Sequence, residues 1–183
     1  TTLSYDLATD FPGTGGWSNN VDGDNITWRR VTGFGANGTS SCLKIDNFNN
    51  VPGYVDEYIT PPFDITNVIS PKLYFYVANA QSSSSSTDVL HLFISTNCGQ
   101  TWTTTPYNKS GATLSTAGVR GSSFTPSGPS EWRRETLSLN GLFPRSNVRI
   151  KFMNISNGGN NTYIDEITVA GTTSGVEAAS EIT

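Results

Sequence analysis

Turn-forming residues punctuate this chain at short intervals, and nothing between them repeats with the period of a helix. Pro12-Gly13-Thr14-Gly15-Gly16, Gly33–Ser41, Gly121–Ser130 and Asn157-Gly158-Gly159-Asn160-Asn161 are clusters of the residues that reverse a backbone. Glycine there supplies positive φ, and asparagine bonds its own backbone. No window of a dozen residues carries apolar side chains at i, i+3, i+4 and i+7. What lies between the turns reads as strand. Leu73–Val77 is aromatic and β-branched, as a pleated surface prefers. Val89–Ile94 reads as a strand buried on both faces or nearly so. Val148–Phe152 alternates, with Val148, Ile150 and Phe152 facing in and Arg149 and Lys151 facing out. Tyr163–Val169 closes the series. Leu3–Leu7, Ile26–Val31, Cys42–Asp46, Tyr54–Thr60 and Glu131–Leu139 are weaker members.

About nine short strands with this spacing predict an all-β fold, a two-sheet antiparallel β-sandwich of the jelly-roll kind. Strands never alternate with helices, which excludes a parallel sheet. The serine run Ser82–Ser86 reads as a flexible hairpin loop between two strong strands. One domain is expected over residues 1–171. The stretch 172–183 has the composition of a linker and is expected to lead toward a further segment.

A chain of 183 residues can bury such a core without several disulfides or metals. Only 14% of its residues are charged, so the surface falls to Ser, Thr, Asn and Gly, a composition more common outside the cell. Net charge is −4, and the nearest approaches to a basic cluster are Arg29-Arg30 and Arg133-Arg134. Nucleic acid is therefore not an expected partner, because phosphate affinity needs many cations. No apolar run approaches the roughly 20 residues of a membrane span, so membrane insertion is not expected. The chain starts at Thr1 with polar residues and shows no signal peptide, as one with its leader or upstream domains removed would. A monomeric module is expected.

Few residues offer chemistry. Cys42 and Cys98 could form one disulfide, closing a loop of about 57 residues worth roughly 4 kcal/mol, or remain two separate buried thiols. His91 is the one histidine, inside an apolar strand run, and reads as structural. No G-x-S-x-G elbow and no phosphate-binding glycine loop is present. Glu57, Glu131, Glu135 and Glu166 lie on candidate strands, and a glycosidase needs only two carboxyls across a cleft. Asn20-Val21-Asp22-Gly23-Asp24-Asn25 packs hard oxygen donors around a glycine, which suits calcium or a metal-free Asx-rich turn. An EF-hand is excluded, since the twelfth position from Asp22 is Gly33. In a regular strand Asp165 would share a face with Tyr163, Ile167 and Val169, a costly place for a carboxylate without a partner or metal. A calcium between the early loop and the last strand would answer both. Trp17, Trp28, Trp102 and Trp132 lie beside loops or strand ends and could stack on sugar rings, with Trp17, Trp28 and Trp102 the candidate ligand-binding residues.

Several stretches together resemble a known family. Gly16-Trp17 followed by VDGDNITW resembles the opening of the cleaved-adhesin domains of gingipain-type haemagglutinins. DEYITPPF at Asp56–Phe63, Leu73–Ala80, LFISTNCGQTW at Leu92–Trp102 and YIDEITV at Tyr163–Val169 resemble its later strands. The same patterns occur in choice-of-anchor jelly rolls attached to secreted metalloproteases. The resemblance spans roughly residues 3–171. It implies a calcium-containing jelly roll that assists adhesion or substrate contact without activity of its own. It implies Asp22, Asp24 and Asp165 as metal contacts, with Asn20 standing where the family usually carries one more acidic residue. The tail SGVEAASEIT resembles the lead-in to a type IX secretion sorting domain, which implies an extracellular or cell-surface parent. The expected function is a non-catalytic binding or adhesion module, accessory to a larger protein and contacting an extracellular protein or polysaccharide. The alternatives are a carbohydrate-binding module and a small jelly-roll glycoside hydrolase.

Overall fold

The computed structural model describes residues 2–4, 17–142 and 144–173. They hold eleven strands: β1 (Thr2–Ser4), β2 (Trp17–Asn20), β3 (Arg29–Thr32), β4 (Ser41–Ile45), β5 (Val55–Ile59), β6 (Val68–Asn79), β7 (Val89–Ser95), β8 (Thr103–Ser110), β9 (Arg133–Ser138), β10 (Arg149–Ile155) and β11 (Thr162–Thr173). One helical turn, α1 (Gly111–Leu114), follows β8. The strands form two antiparallel sheets. One runs β3-β4-β11-β6-β9, with β1 also pairing β11; the other runs β2-β5-β10-β7-β8. This is the predicted β-sandwich.

Period-2 alternation builds it. Along β10, Ile150, Phe152 and Asn154 are buried while Arg149, Lys151, Met153 and Ile155 are half-buried. The apolar inner faces meet in one core: Leu43, Ile45, Phe75, Val77 and Ile164 from the first sheet, Tyr58, Leu90, Leu92, Ile150 and Phe152 from the second. Phe75 bridges the layers edge-to-face, 5.1 Å from the Phe152 ring and 5.3 Å from Tyr107. Such pairs add about 1 kcal/mol beyond burial.

Three readings of the sequence need correction, and two strands escaped it. About nine strands were expected, and β2 and β8 add to those that the sequence showed. The first is WSNN, too short and Asn-rich to announce itself; the second, TTTPYNKS, carries Pro106, which an edge strand tolerates. Val89–Ile94 is not buried on both faces. Leu90 and Leu92 point inward, and Val89, His91 and Phe93 look outward. Ser82–Ser86 is not a flexible hairpin, because β6 and β7 belong to different sheets. The run is pinned instead: Ser86 is buried, its Oγ accepts from the Ser83 amide at 3.0 Å, and Ser82 Oγ donates to the Gly158 carbonyl at 2.5 Å. Finally, Cys42 and Cys98 are both free thiols. Cys42 is fully buried on β4, whereas Cys98 is exposed in the turn between β7 and β8, strands of the opposite sheet.

Strand β11 carries a bulge between Asp165 and Thr168, where Glu166 takes φ 47°. The bulge splits the strand's side chains. Ile164, Ile167 and Val169 enter the main core, while Tyr163 joins Cys42, Ala78, Ala80 and Phe124 in a second, smaller cluster. β11 runs to Thr173, past the expected boundary at residue 171, and the tail from 174 lies outside the described residues.

Candidate functional site

The outward face of the β2-β5-β10-β7-β8 sheet carries aromatic and polar side chains in register. Lys151 pairs across β10 with Ile59 on one side and Phe93 on the other; Met153 pairs with Glu57 and His91. The His91 and Phe93 rings lie 4.3 Å apart between centroids, and His91 Nε2 is hydrogen-bonded to Thr104 Oγ1 at 2.8 Å. Lys151 Nζ stands 5.1 Å from the Phe93 ring and 4.8 Å from the Trp102 ring. It also donates to Glu57 Oε1 at 2.7 Å, and Asn19 Nδ2 donates to Glu57 Oε2 at 3.0 Å. Opposite charges thus cancel within the patch, and the cation–π contacts and the ion pair hold Trp102 and Phe93 in place. The result is a half-exposed aromatic platform rimmed by an amide, a hydroxyl and paired charges. A sugar ring, apolar on its C–H face and polar at its edge, matches such a surface.

The tryptophans divide. Trp102 stands on this face as expected. Trp28 does not: it is 1% exposed, and its indole N–H donates to the Asp56 carbonyl at 3.4 Å, so it is core. Trp132 lies edge-on to Tyr163 at 6.3 Å, on the opposite sheet. The backbone of Trp17 pairs with Ile59 in β2, and its side chain lies outside the described residues. Sequence reasoning did not single out Phe93 or Lys151 for binding, read His91 as structural and weighed Glu57 only as a catalytic carboxylate. The signal was available in the alternation of Val89–Ile94, which was read as burial on both faces.

The acidic loop after β2 folds as an Asx-rich turn. Gly23 N donates to Asn20 Oδ1 at 2.8 Å, Ile26 N to Asp24 Oδ1 at 2.8 Å, and Val55 N to Asp22 Oδ2. Beside it stands Asp56, which sequence reasoning did not single out as an oxygen donor. Its carboxylate is 1% exposed; Asn50 donates to Oδ2 at 3.2 Å, and Oδ1 has no partner. Burial, with lesser contributions from the negative charges of Asp24 and Asp22, pushes this carboxyl up to about 6. Asp165 is not brought to this loop. It sits on β11 in the other sheet, where Oδ2 accepts from Ala36 N at 2.8 Å and Thr39 Oγ1 at 2.6 Å, and Oδ1 from Glu166 N at 2.8 Å. The single site expected between the early loop and the last strand is therefore not assembled. Among the described residues no three acidic, histidine or cysteine side chains close on one point.

The four glutamates considered for catalysis each have a structural partner. Glu57 pairs with Lys151, and Glu135 with Lys109 and Arg133 at 2.7 Å each. Glu131 accepts from Ser127 N at 2.7 Å, and Glu166 accepts from Asn37 Nδ2 at 2.6 Å. Among the described residues no helix is long and apolar enough to cross a membrane.

No protein-family model and no curated protein matches this chain. Solved structures do. The K1 cleaved adhesin domain of Lys-gingipain from Porphyromonas gingivalis W83 superposes with a TM-score of 0.63 at 19% identity, covering 94% of this chain and 99% of that one. The carbohydrate-binding module CBM27-1 of Caldicellulosiruptor saccharolyticus, solved with mannohexaose, gives 0.57 at 13% identity over 94% and 98%. TmCBM61, solved with β-1,4-galactotriose, gives 0.54 at 9% identity over 87% and 90%. The chain has the β-sandwich fold that these adhesin and carbohydrate-binding domains share, as its sequence resemblance implied.

Proposed function

We propose that this chain is a non-catalytic extracellular binding module that holds a glycan on the outward face of its five-stranded sheet, as an accessory to a larger secreted or surface protein. The observation that carries the reading is the half-exposed Trp102–Lys151–Phe93–His91 platform, built from the neighbouring strands β7 and β10 and the turn after β7. The fold it shares with adhesin and carbohydrate-binding domains supports the class of function, and the structural pairing of all four glutamates favours binding over hydrolysis. Neutral oligosaccharides are the test ligands: mannohexaose, β-1,4-galactotriose and xylohexaose. Trp102→Ala and Phe93→Ala are each expected to weaken binding about tenfold, the order of one lost aromatic contact, with little change in melting temperature. Unaltered affinity in both variants, or no binding to any glycan, overturns the reading and turns attention to a protein partner.

Calcium belongs to the same proposal. The donors Asn20, Asp22, Asp24 and Asp56 are hard oxygens, as calcium requires. Asp56 Oδ1, buried without a partner beside two further carboxylates, is the feature a cation would satisfy. Bound there, calcium would offset two of the three negative charges of Asp22, Asp24 and Asp56 and tie the loop after β2 to β5.

A further inference from the structure

A second aromatic-walled cleft lies on the opposite side of the sandwich. Two loops form it, one between β3 and β4 and the other before β9, and the open hollow between them measures about 310 Å³. Phe34 stands on the first loop and Trp132 on the second. Both rings lean edge-on against Tyr163, at 5.7 and 6.3 Å with interplanar angles of 67°. Tyr163 is itself buried, and its hydroxyl donates to the Phe124 carbonyl at 2.7 Å. The buried ring against which both walls lean, behind the cleft lining, is therefore fixed in place.

The walls are held as firmly. Asp165 accepts from Ala36 N and Thr39 Oγ1, which fixes the first loop. Gly35 is required there, since a Cβ would fall 2.0 Å from Thr39 Oγ1 and 2.6 Å from the Asp165 carboxylate. Glu131 accepts from both the amide and the hydroxyl of Ser127 and pairs with Arg120 at 3.3 Å, which fixes the second loop. Two carboxylates that sequence reasoning weighed for metal or catalysis thus serve to preorganise this cleft, which lowers the ordering cost of binding.

We infer that the cleft between Phe34 and Trp132 is a second ligand site, and that it takes one neutral sugar ring. Every lining residue is uncharged, so an ionic ligand has no counter-charge there. The aromatic walls suit the C–H faces of a pyranose, and the rim adds the polar side chains of Asn37, Thr39 and Ser127 for its hydroxyls. The volume lies at the small end of ligand pockets, about 300–1,000 Å³, and fits a single residue rather than an extended proline-rich peptide. The inference stands apart from the sheet-face reading, because the two sites occupy opposite outer faces.

The test is a titration of ¹⁵N-labelled protein with glucose, galactose, mannose, xylose, fucose and N-acetylglucosamine at millimolar concentrations. Saturable shifts are expected at the amides of Gly35, Gly38 and Gly128 and at the Trp132 indole N–H. Trp132→Ala is expected to weaken them about tenfold. Because that ring also packs on Tyr163, Gly128→Trp is the second variant. Gly128 lines the cleft and has an extended φ of −170° and open space where its Cβ would stand, so a bulky side chain is accommodated at the cleft wall without straining the fold and is expected to obstruct it. It should abolish the shifts at an unchanged melting temperature. Shifts that survive in Gly128→Trp overturn the inference, as do shifts with a polyproline decapeptide but with no sugar. Shifts confined to His91, Phe93 and Trp102 overturn it while leaving the sheet-face reading intact.

Discussion

Single side chains carry contrasts here that composition hides. Gly159 has no room for a side chain, because a Cβ would lie 1.8 Å from the Asp88 carboxylate, whereas Gly121 faces open space. Gly159→Ala should lower the melting temperature by several degrees, and Gly121→Ala should leave it within about a degree. Equal values for the two variants would dispose of the crowding argument. Asp88 itself is buried, and burial raises its carboxyl above the ordinary range despite hydrogen bonds from Asn157 N and Gly159 N. A raised native pKa means that the folded chain binds a proton that the unfolded chain releases. Its contribution is therefore present below the unfolded value near 3.8 and is lost as pH rises through the raised one. Stability should fall as pH climbs out of the acid range, and Asp88→Asn should flatten that fall in chemical denaturation. The cysteines differ too: burial, aided by Asp165, pushes the Cys42 thiol up to about 12, while Cys98 is exposed. A thiol reagent should label one cysteine per native chain and two after unfolding. None of these differences was legible in the sequence, since each depends on which distant strand lies opposite.

At the scale of elements, legibility followed alternation. Val148–Phe152 was read correctly face by face, because each apolar residue alternates with a charge. Val89–Ile94 misled, since His91 and Phe93 are outward-facing residues bulky enough to pass for core. β8 stayed invisible because TTTPYNKS pays no visible tribute to a core: only Thr105 and Tyr107 are buried, and Tyr107 is the one large apolar body. Two phenylalanines on the neighbouring strands β10 and β7 test the distinction: Phe152 pairs with Leu92, and Phe93 with Lys151. Phe152 is fully buried among Tyr58, Phe75 and the inner face, whereas Phe93 lies outside under Lys151. Phe152→Ala should cost about 3–5 kcal/mol, the range for a large aromatic removed from a core. Phe93→Ala should cost under about 1 kcal/mol and act on glycan binding instead. Urea denaturation of both variants checks it, and a comparable loss in the two would mean that Phe93 is structural and the platform misassigned.

For the whole molecule, the fold was legible, and the residue that faces the acidic loop was not. Strand cadence sufficed for a sandwich because the hydrophobic pattern of most strands points one way. The acidic loop was also visible as Asn20, Asp22 and Asp24; a carboxylate facing it was sought in Asp165, and the one that stands beside it is Asp56. Register explains the substitution: Asp56 pairs with Asn20 across β2 and β5, a contact no local pattern announces. Asp22 and Asp24 on the loop add their negative charge to the field at Asp56 on β5 and help to raise its carboxyl, a repulsion that a divalent cation would relieve. Anything that binds only the native state stabilises by about 2.7 kcal/mol at a hundredfold excess over Kd. For a domain of this size that is a shift of roughly 5–10 °C. Thermal unfolding in calcium and then in excess chelator should show that drop in the unmodified chain. Asp56→Asn keeps the shape and removes the charge, so its melting temperature should respond to chelation much less. An equal drop in both proteins would move the metal away from this loop, toward Asp165 and the bulge of β11. A flat response together with a metal-free analysis would remove calcium from the account, leaving Asp56 as a buried carboxylate with one unsatisfied oxygen and the loop as an Asx turn alone.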